Sequence, residues 1–382
     1  MALNREKLRA HYSDFLRSDR ILLTGHSHQA WPNVARLGLE KAYRDAANHV
    51  DDKWQRATEK ADCVRAAVAD YLNTASDEIA LAQNSHELAV RFLSGLDLAG
   101  RTLVTTDGEF HSLRRQLIRL EEAGVNVKWV QTTPISTLVE RLADACNDKT
   151  AALMVSTVLF KTAEMVTDLP QLMDYAVGKG IPLLLDAYHA YAAVPNQLGT
   201  LPSDNIFVTG GGYKYAQWGE ACCWMRVPAE CQLRPIYTGW FSDFAGLDGA
   251  QGTQVGYGST PADRFAGSTY DPASHYRAVE VIDFFKQQGM TTVALRETSL
   301  QQTELIMKQL PNCEVLTPID SSRGGFVSIR HPRASNLIQS LRDLGIFADS
   351  RADIIRFGPA PYTTDDEIIE AMTSFNRLLR TG

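Results

Sequence analysis

Short apolar runs alternate with longer stretches in which apolar residues recur three and four apart. The runs are Thr102-Leu103-Val104-Thr105, Val127-Lys128-Trp129-Val130, Ala151 to Val155, Ile181 to Leu185 and Ile206-Phe207-Val208. Most are bounded by Gly, Pro, Asn or Asp, which reads as buried strands closed by turns. Between them, Ser112 to Glu122 has helical spacing. Strand then helix, repeated, predicts a mainly parallel sheet covered on both faces. Ala221 to Val227 follows the last run so closely that an antiparallel partner is expected. The apolar Ile79-Ala80-Leu81 leads through the polar Asn84-Ser85-His86-Glu87 into a helix-like run from Leu88 to Leu96.

From about Asp271 the pattern changes. Two long helices are predicted, over Pro272 to Lys286 and Ser299 to Leu310. Two short strands follow, Gly325 to Ile329 and Ile354 to Phe357, with a helix over Ser335 to Leu344 between them. This is the pattern of a smaller α+β unit, and the N-terminal segment is expected to join it because termini are often neighbours. The expected division is a large domain over 35–275 and a small one over 1–34 and 276–382.

Composition narrows the function. A chain of 382 residues with 45% hydrophobic and 22% charged residues is ordinary for a globular enzyme. Its formal net charge of -7 argues against nucleic acid and anionic membranes as partners. No apolar stretch approaches about 18 residues, and the N-terminal MALNREKLRA has no signal-type apolar core. The six cysteines form no C-x-x-C pair, so no metal site is expected and a reducing, cytoplasmic setting is. Adjacent Cys222 and Cys223 sit in an apolar run and read as packing.

The candidate chemistry lies at strand ends, where open parallel sheets hold ligands. Asp186 ends Leu183-Leu184-Leu185, and His189 follows three residues later. Gly210-Gly211-Gly212-Tyr213-Lys214-Tyr215 ends the next strand. A lysine in such an apolar, aromatic surround loses charge and gains nucleophilicity. Pyridoxal 5′-phosphate (PLP) asks for this pair: a carboxylate for its pyridine nitrogen and a lysine for its aldehyde. Its phosphate asks for backbone N–H groups at a helix start, which Ser85, His86 and Glu87 offer.

These motifs resemble the class V aminotransferase superfamily of fold-type I PLP enzymes, and kynureninases within it. Asp186-Ala187-Tyr188-His189 is similar to the family's D-x-x-H, and Gly212-Tyr213-Lys214-Tyr215 to the kynureninase G-Y-K-Y. Gly239-Trp240-Phe241 resembles a segment beside the cofactor. Gly345 through Pro361 resembles the kynureninase tail. The resemblance implies that Lys214 forms a Schiff base, Asp186 pairs with the pyridinium, and His189 sits near the ring hydroxyl. It gives Tyr213 a phosphate contact, and Tyr213 or a nearby His a part in proton transfer. It places Phe110, or else His111, over the ring, and Trp240 beside it. Arg356 would bind the substrate carboxylate, to which a guanidinium fork is matched. Ser268 or Thr269 would reach the phosphate of a neighbouring subunit, which implies a homodimer.

The pattern departs from kynureninases near the substrate. Gly25-His26-Ser27-His28-Gln29 stands where they carry G-N-S-L-G, and His26 is the expected substrate contact there. Ser242-Asp243 and Gly267-Ser268-Thr269-Tyr270-Asp271-Pro272 replace Gly-His and Ser-Asn-Pro-Pro. The expected activity is a kynureninase-like hydrolase that cleaves a Cβ–Cγ bond of an amino acid, a small-molecule substrate, with a class V aminotransferase as the alternative. A desulfurase would need a reactive cysteine on a mobile loop, and Cys313 reads as packing ahead of a strand. A PLP-fold regulator would need a DNA-binding helix, which the chain lacks.

Overall fold

The computed structural model describes residues 3–17, 19–249, 252–310 and 312–380. Residues 1, 2, 381 and 382, at the extremes of the small unit expected over 1–34 and 276–382, lie outside these.

A seven-stranded sheet organises the larger part of the chain. Its order is Ile79–Ala82, Cys223–Arg226, Ile206–Gly211, Leu183–Asp186, Thr150–Ser156, Thr102–Thr106, Asn126–Val130. Only Cys223–Arg226 runs antiparallel to its neighbours. The other pairings are parallel, as the strand–helix alternation predicted.

The unbroken apolar runs are explained by burial on both faces. Leu183, Leu185, Leu153, Val155, Ile206 and Val208 face one core cluster. Leu184, Ala152, Met154 and Phe207 face another, with Leu88, Phe92, Leu113 and Leu117 from the covering helices. Because successive side chains point to opposite faces, a strand covered twice has no polar position to spare.

The C-terminal part builds a four-stranded antiparallel sheet, ordered Asp349–Arg351, Ile354–Phe357, Val327–Arg330, Glu314–Val315. Helices Thr292–Lys308, Ala334–Asp343 and Asp365–Arg380 enclose its core of Ile306, Leu337, Leu341, Ile355, Phe357, Ile368 and Phe375. The first of these helices begins seven residues before the expected Ser299. Thr291 caps it by accepting the Ala294 N–H at 3.2 Å, a start signal that apolar spacing alone does not reveal. In the N-terminal segment, Ile21–Leu22 pairs in parallel with Ile346–Phe347.

No described helix is long and apolar enough to cross a membrane. Nor does any group of three or more His, Cys, Asp or Glu suited to a metal occur among the described residues.

Candidate active site

A cleft of about 300 Å³ opens at the carboxyl ends of the parallel strands. Its walls include Asn84, Ser85, Phe110, Asp186, Tyr188, His189, Tyr213 and Lys214. Topology alone brings these together. Leu183–Asp186 and Ile206–Gly211 are parallel neighbours in register, so Asp186 and the turn that carries Lys214 emerge on the same side.

The glycine run has a packing cause. A Cβ on Gly212 would lie 2.2 Å from the Trp218 ring, so the turn closes only with glycine there. Trp218 N–H donates to the Gly212 carbonyl at 2.8 Å, and the turn holds Lys214 at 8% exposure. The lysine Nζ is 2.6 Å from His189 Nε2. It also sits 4.8 Å from the Tyr188 ring centre and 5.2 Å from that of Phe110. Burial pushes this amine down to about 7; the Asp186 charge resists and the Arg356 charge assists.

Asp186 is held by the Tyr188 N–H, which donates to Oδ1 at 2.9 Å. Burial raises its carboxyl, and the Lys214 charge offsets that only partly. His189 is pushed well below the usual imidazole range, by burial first and the Lys214 charge second. Its Nδ1 is buried with no hydrogen-bond partner among the described residues. Such a set is incomplete by itself. A ligand with a cationic ring nitrogen, an electrophilic carbon and a polar ring substituent would complete it, and the residues therefore fit PLP.

Ser85–Ser94 starts at the cleft, capped by Asn84, whose side chain accepts the Glu87 N–H at 2.9 Å. Ser85 lines the cleft. His86 is exposed and Glu87 is bonded to Arg91 at 3.1 Å, so the side chains of these two do not face it. The expected phosphate donors are backbone N–H groups, and of the three that of Glu87 is already taken by Asn84 Oδ1.

Arg356 is 2% exposed and its guanidinium is engaged. Nε donates to Asp349 Oδ1 at 2.8 Å, Nη2 to Asp349 Oδ2 at 2.5 Å, and Nη1 to the Phe160 carbonyl at 2.8 Å. A guanidinium has five N–H groups, so these bonds leave two for a substrate carboxylate. Burial opposes the charged form of Asp349, yet the bonds from His26 and Arg356 outweigh it and hold this carboxyl well below the usual range.

His26, the expected substrate contact, is not on the cleft wall. Its side chain has no exposure, and Nε2 is bonded to Asp349 Oδ1 at 2.9 Å. Burial takes its pKa down to about 4 against the pull of Asp349. Only a glycine at 358 leaves room for this ring, since a Cβ there would lie 2.2 Å from His26 Nδ1. His26 thus acts on Arg356 through Asp349.

Phe110 rather than His111 lines the cleft, edge-on to Phe160 with ring centres 5.3 Å apart. Trp240 is 44% exposed, and the exposed Ser268 and Thr269 stand with it away from this chain's own cleft.

Four residues escaped sequence reading. Tyr188 lines the cleft within the D-x-x-H motif, and Cys223, read as packing, lines it beside the Tyr188 hydroxyl at 3.5 Å. Glu109 is a buried carboxyl next to Phe110. It accepts from Thr106 Oγ1 at 2.5 Å and Ser156 Oγ at 2.7 Å, and burial pushes it up to about 7. His28 Nδ1 lies 2.5 Å from the Tyr213 hydroxyl. Strand-end position was the available signal for Cys223, which pairs in register with Gly211.

Comparison with known proteins agrees with this geometry. A family model described as the kynureninase C-terminal domain matches residues 294–375. A kynureninase of Deinococcus radiodurans is 26% identical, over 95% of this chain and 91% of its own length. A Bacillus subtilis protein named uncharacterized aminotransferase YcbU is 22% identical, over 86% of this chain and 87% of its own. Among solved structures, a C-DES mutant with glycine covalently linked to its PLP cofactor superposes with a TM-score of 0.82 at 18% identity. That match covers 96% of this chain and 98% of the other. The fold is the expected fold-type I architecture.

Proposed function

We propose that this kynureninase-like chain, a PLP-dependent enzyme of the class V group, hydrolyses the Cβ–Cγ bond of an amino acid bearing a γ-carbonyl. The joint placement of Lys214, Asp186 and Arg356 carries the PLP chemistry, and the likeness to the kynureninase C-terminal model over 294–375 carries the choice of hydrolysis. Lys214 and Asp186 line one cleft, and Arg356 is near enough for its charge to act on Lys214.

Lys214 would hold the cofactor aldehyde, Asp186 the ring nitrogen, and His189 a ring substituent. Phe110 would cover the ring, and Tyr213 with the start of Ser85–Ser94 would take the phosphate. Bound PLP supplies an electron sink for the substrate α-carbon. Everything else falls to the chain. The free N–H groups of Arg356 bind the α-carboxylate in a fixed orientation. The Lys214 amine, unprotonated above about pH 7, takes the Cα proton. Water adds to the γ-carbonyl, the Cβ–Cγ bond breaks to a carboxylic acid, and a proton delivered to Cβ leaves alanine. Tyr213 is the phenol at hand to move that proton.

A homodimer fits this reading. Ser268, Thr269 and Trp240 are exposed and do not line their own cleft, and Ile236, Phe244 and Val255 are exposed apolar side chains of the same part of the chain. A second copy would cover them and receive the Ser268–Thr269 loop.

The aminotransferase alternative rests on the similarity to the Bacillus protein and on the changed residues near the substrate. It uses the same lysine, aspartate and arginine and releases a keto acid. The desulfurase reading is disfavoured, because Cys313 is half-buried with a raised thiol pKa and does not line the cleft. The deciding experiment gives PLP-loaded protein kynurenine and 3-hydroxykynurenine and reads anthranilate-type fluorescence, with keto-acid release from common amino acids followed in parallel. Anthranilate with alanine is expected. Keto acid without anthranilate overturns the hydrolase.

A further inference from the structure

We propose that His28 is a positioning residue for the cofactor's phosphate, acting through the phenol of Tyr213. This rests on the reading of Tyr213 as a phosphate contact, and it adds a residue at which the chain departs from the kynureninase pattern.

The pair is well defined. His28 Nδ1 is 2.5 Å from the Tyr213 hydroxyl, with the rings edge to face at 5.3 Å. Tyr213 lines the cleft together with Asn84 and Ser85 at the helix start. His28 is held from behind: its N–H donates to the Thr24 carbonyl at 2.7 Å, and its carbonyl accepts from Thr24 Oγ1 at 3.0 Å. That turn is tied to the C-terminal region by the Gly25 N–H, which donates to the Gly358 carbonyl at 2.7 Å. One turn therefore sends His26 to Asp349 and His28 to Tyr213.

The consequence follows from proton counting. A phenol has one O–H and two lone pairs. When His28 Nδ1 is an acceptor, the Tyr213 proton points at it, and the phenol offers the cleft only lone pairs. A phosphate is itself an acceptor, so this state repels it. When Nδ1 carries a proton, His28 donates to the phenol oxygen, and the Tyr213 O–H is released to donate to the phosphate. Phosphate binding thus selects the form of His28 that carries a proton on Nδ1. Other charged groups face the pair. Glu220, on the Tyr213 loop, lines the same cleft and disfavours an anion beside it unless a proton is gained nearby. Lys214 is the next residue along. On the His28 turn, His26 is neutralised by burial and already committed to Asp349.

The test titrates apoprotein with PLP and with pyridoxal, which lacks the phosphate, between about pH 5.5 and 8.5, for wild type, His28→Leu, His28→Gln and Tyr213→Phe. The variant-to-wild-type Kd ratio at each pH cancels the ionisation of Lys214 and of the phosphate. For His28→Leu the PLP ratio is expected to be about tenfold, the worth of one charge-assisted hydrogen bond, and His28→Gln, whose side-chain N–H can still donate to the phenol oxygen, should recover part of that loss. Pyridoxal affinity should not change, and His28→Leu should add nothing on top of Tyr213→Phe. An equal loss for pyridoxal overturns the proposal. If Tyr213→Phe binds PLP like wild type, the phosphate contact of Tyr213 is itself wrong. If Tyr213→Phe weakens PLP while both His28 variants do not, only the role of His28 falls.

Discussion

The two halves of the site treat buried charge in opposite ways. At the carboxyl ends of the central strands, Asp186 is raised, Lys214 is lowered to about 7, His189 is lowered and Nδ1 of that ring has no partner among the described residues. Beside the small sheet, Asp349 is forked to Arg356 and bonded to His26, and its carboxyl is driven the other way. The first half is short of partners; the second has matched its charges, and His26 Nδ1 is the buried ring atom it leaves without one among the described residues. A region that holds unmet polar groups spends stability to be ready for a ligand. A region whose charges are already matched holds one arginine rigidly, which suits recognition of a carboxylate.

The largest effects should come from breaking the incomplete half. Lys214→Ala should abolish the visible absorbance that PLP gives with wild type and lower kcat by more than about a thousandfold. Its apoprotein should melt no lower than wild type, because the removed amine had been desolvated without an ion pair. Loss of Tm with retained colour would reverse the assignment. Next comes the charge-matched half. Asp349→Leu strands the Arg356 charge and should cost about 2–4 kcal/mol in denaturant unfolding. The double variant Asp349→Leu/Arg356→Leu should cost less than Asp349→Leu alone. Simple additivity would mean that the fork contributes nothing as a pair.

Glu109 sharpens the contrast, since it belongs to the incomplete half without lining the cleft. Its folded pKa of about 7 stands above the ordinary 4.5, so folding takes up a proton between those values. Stability must then fall as pH rises through that window. Glu109→Gln removes the titration. It should raise unfolding free energy by about 1–3 kcal/mol at pH 8 and by little at pH 5. An equal gain at both pH values would show that packing, not charge, is responsible.

The incomplete half was the legible one. Asp186, His189 and Lys214 sit at strand ends in an order and spacing that a parallel sheet must bring together, and local pattern is enough to find them. His26 was misassigned for a physical reason: in Gly25-His26-Ser27-His28 nothing local says which ring turns inward. That is decided by Gly358, some 330 residues away, which leaves space for one of them. Glu109 and Tyr188 stood within quoted motifs, but their roles come from contacts with Ser156 and Cys223 on other strands. The fork between Asp349 and Arg356 could have been anticipated, since the two pair across adjacent antiparallel strands. Trp240, Ser268 and Thr269 find no role within one copy of the chain, and their test is assembly.

The smallest predicted effect links the two halves. Arg356 is charge-matched by Asp349, yet its field still lowers the Lys214 amine, after burial and against Asp186. PLP capture by apoprotein needs the unprotonated amine. Its rate should therefore climb about tenfold per pH unit below about 7 and level off above it. Arg356→Leu removes a repulsive charge, which lets Lys214 keep its proton to higher pH. The midpoint of the capture profile should move up by some tenths of a unit, with the plateau rate unchanged. Stopped-flow absorbance across that range reads both quantities. A midpoint that stays in place would mean that Asp349 screens the arginine completely and the halves are electrically independent. A midpoint that moves down would mean that loss of Arg356 desolvates the lysine further, and that packing rather than charge joins them.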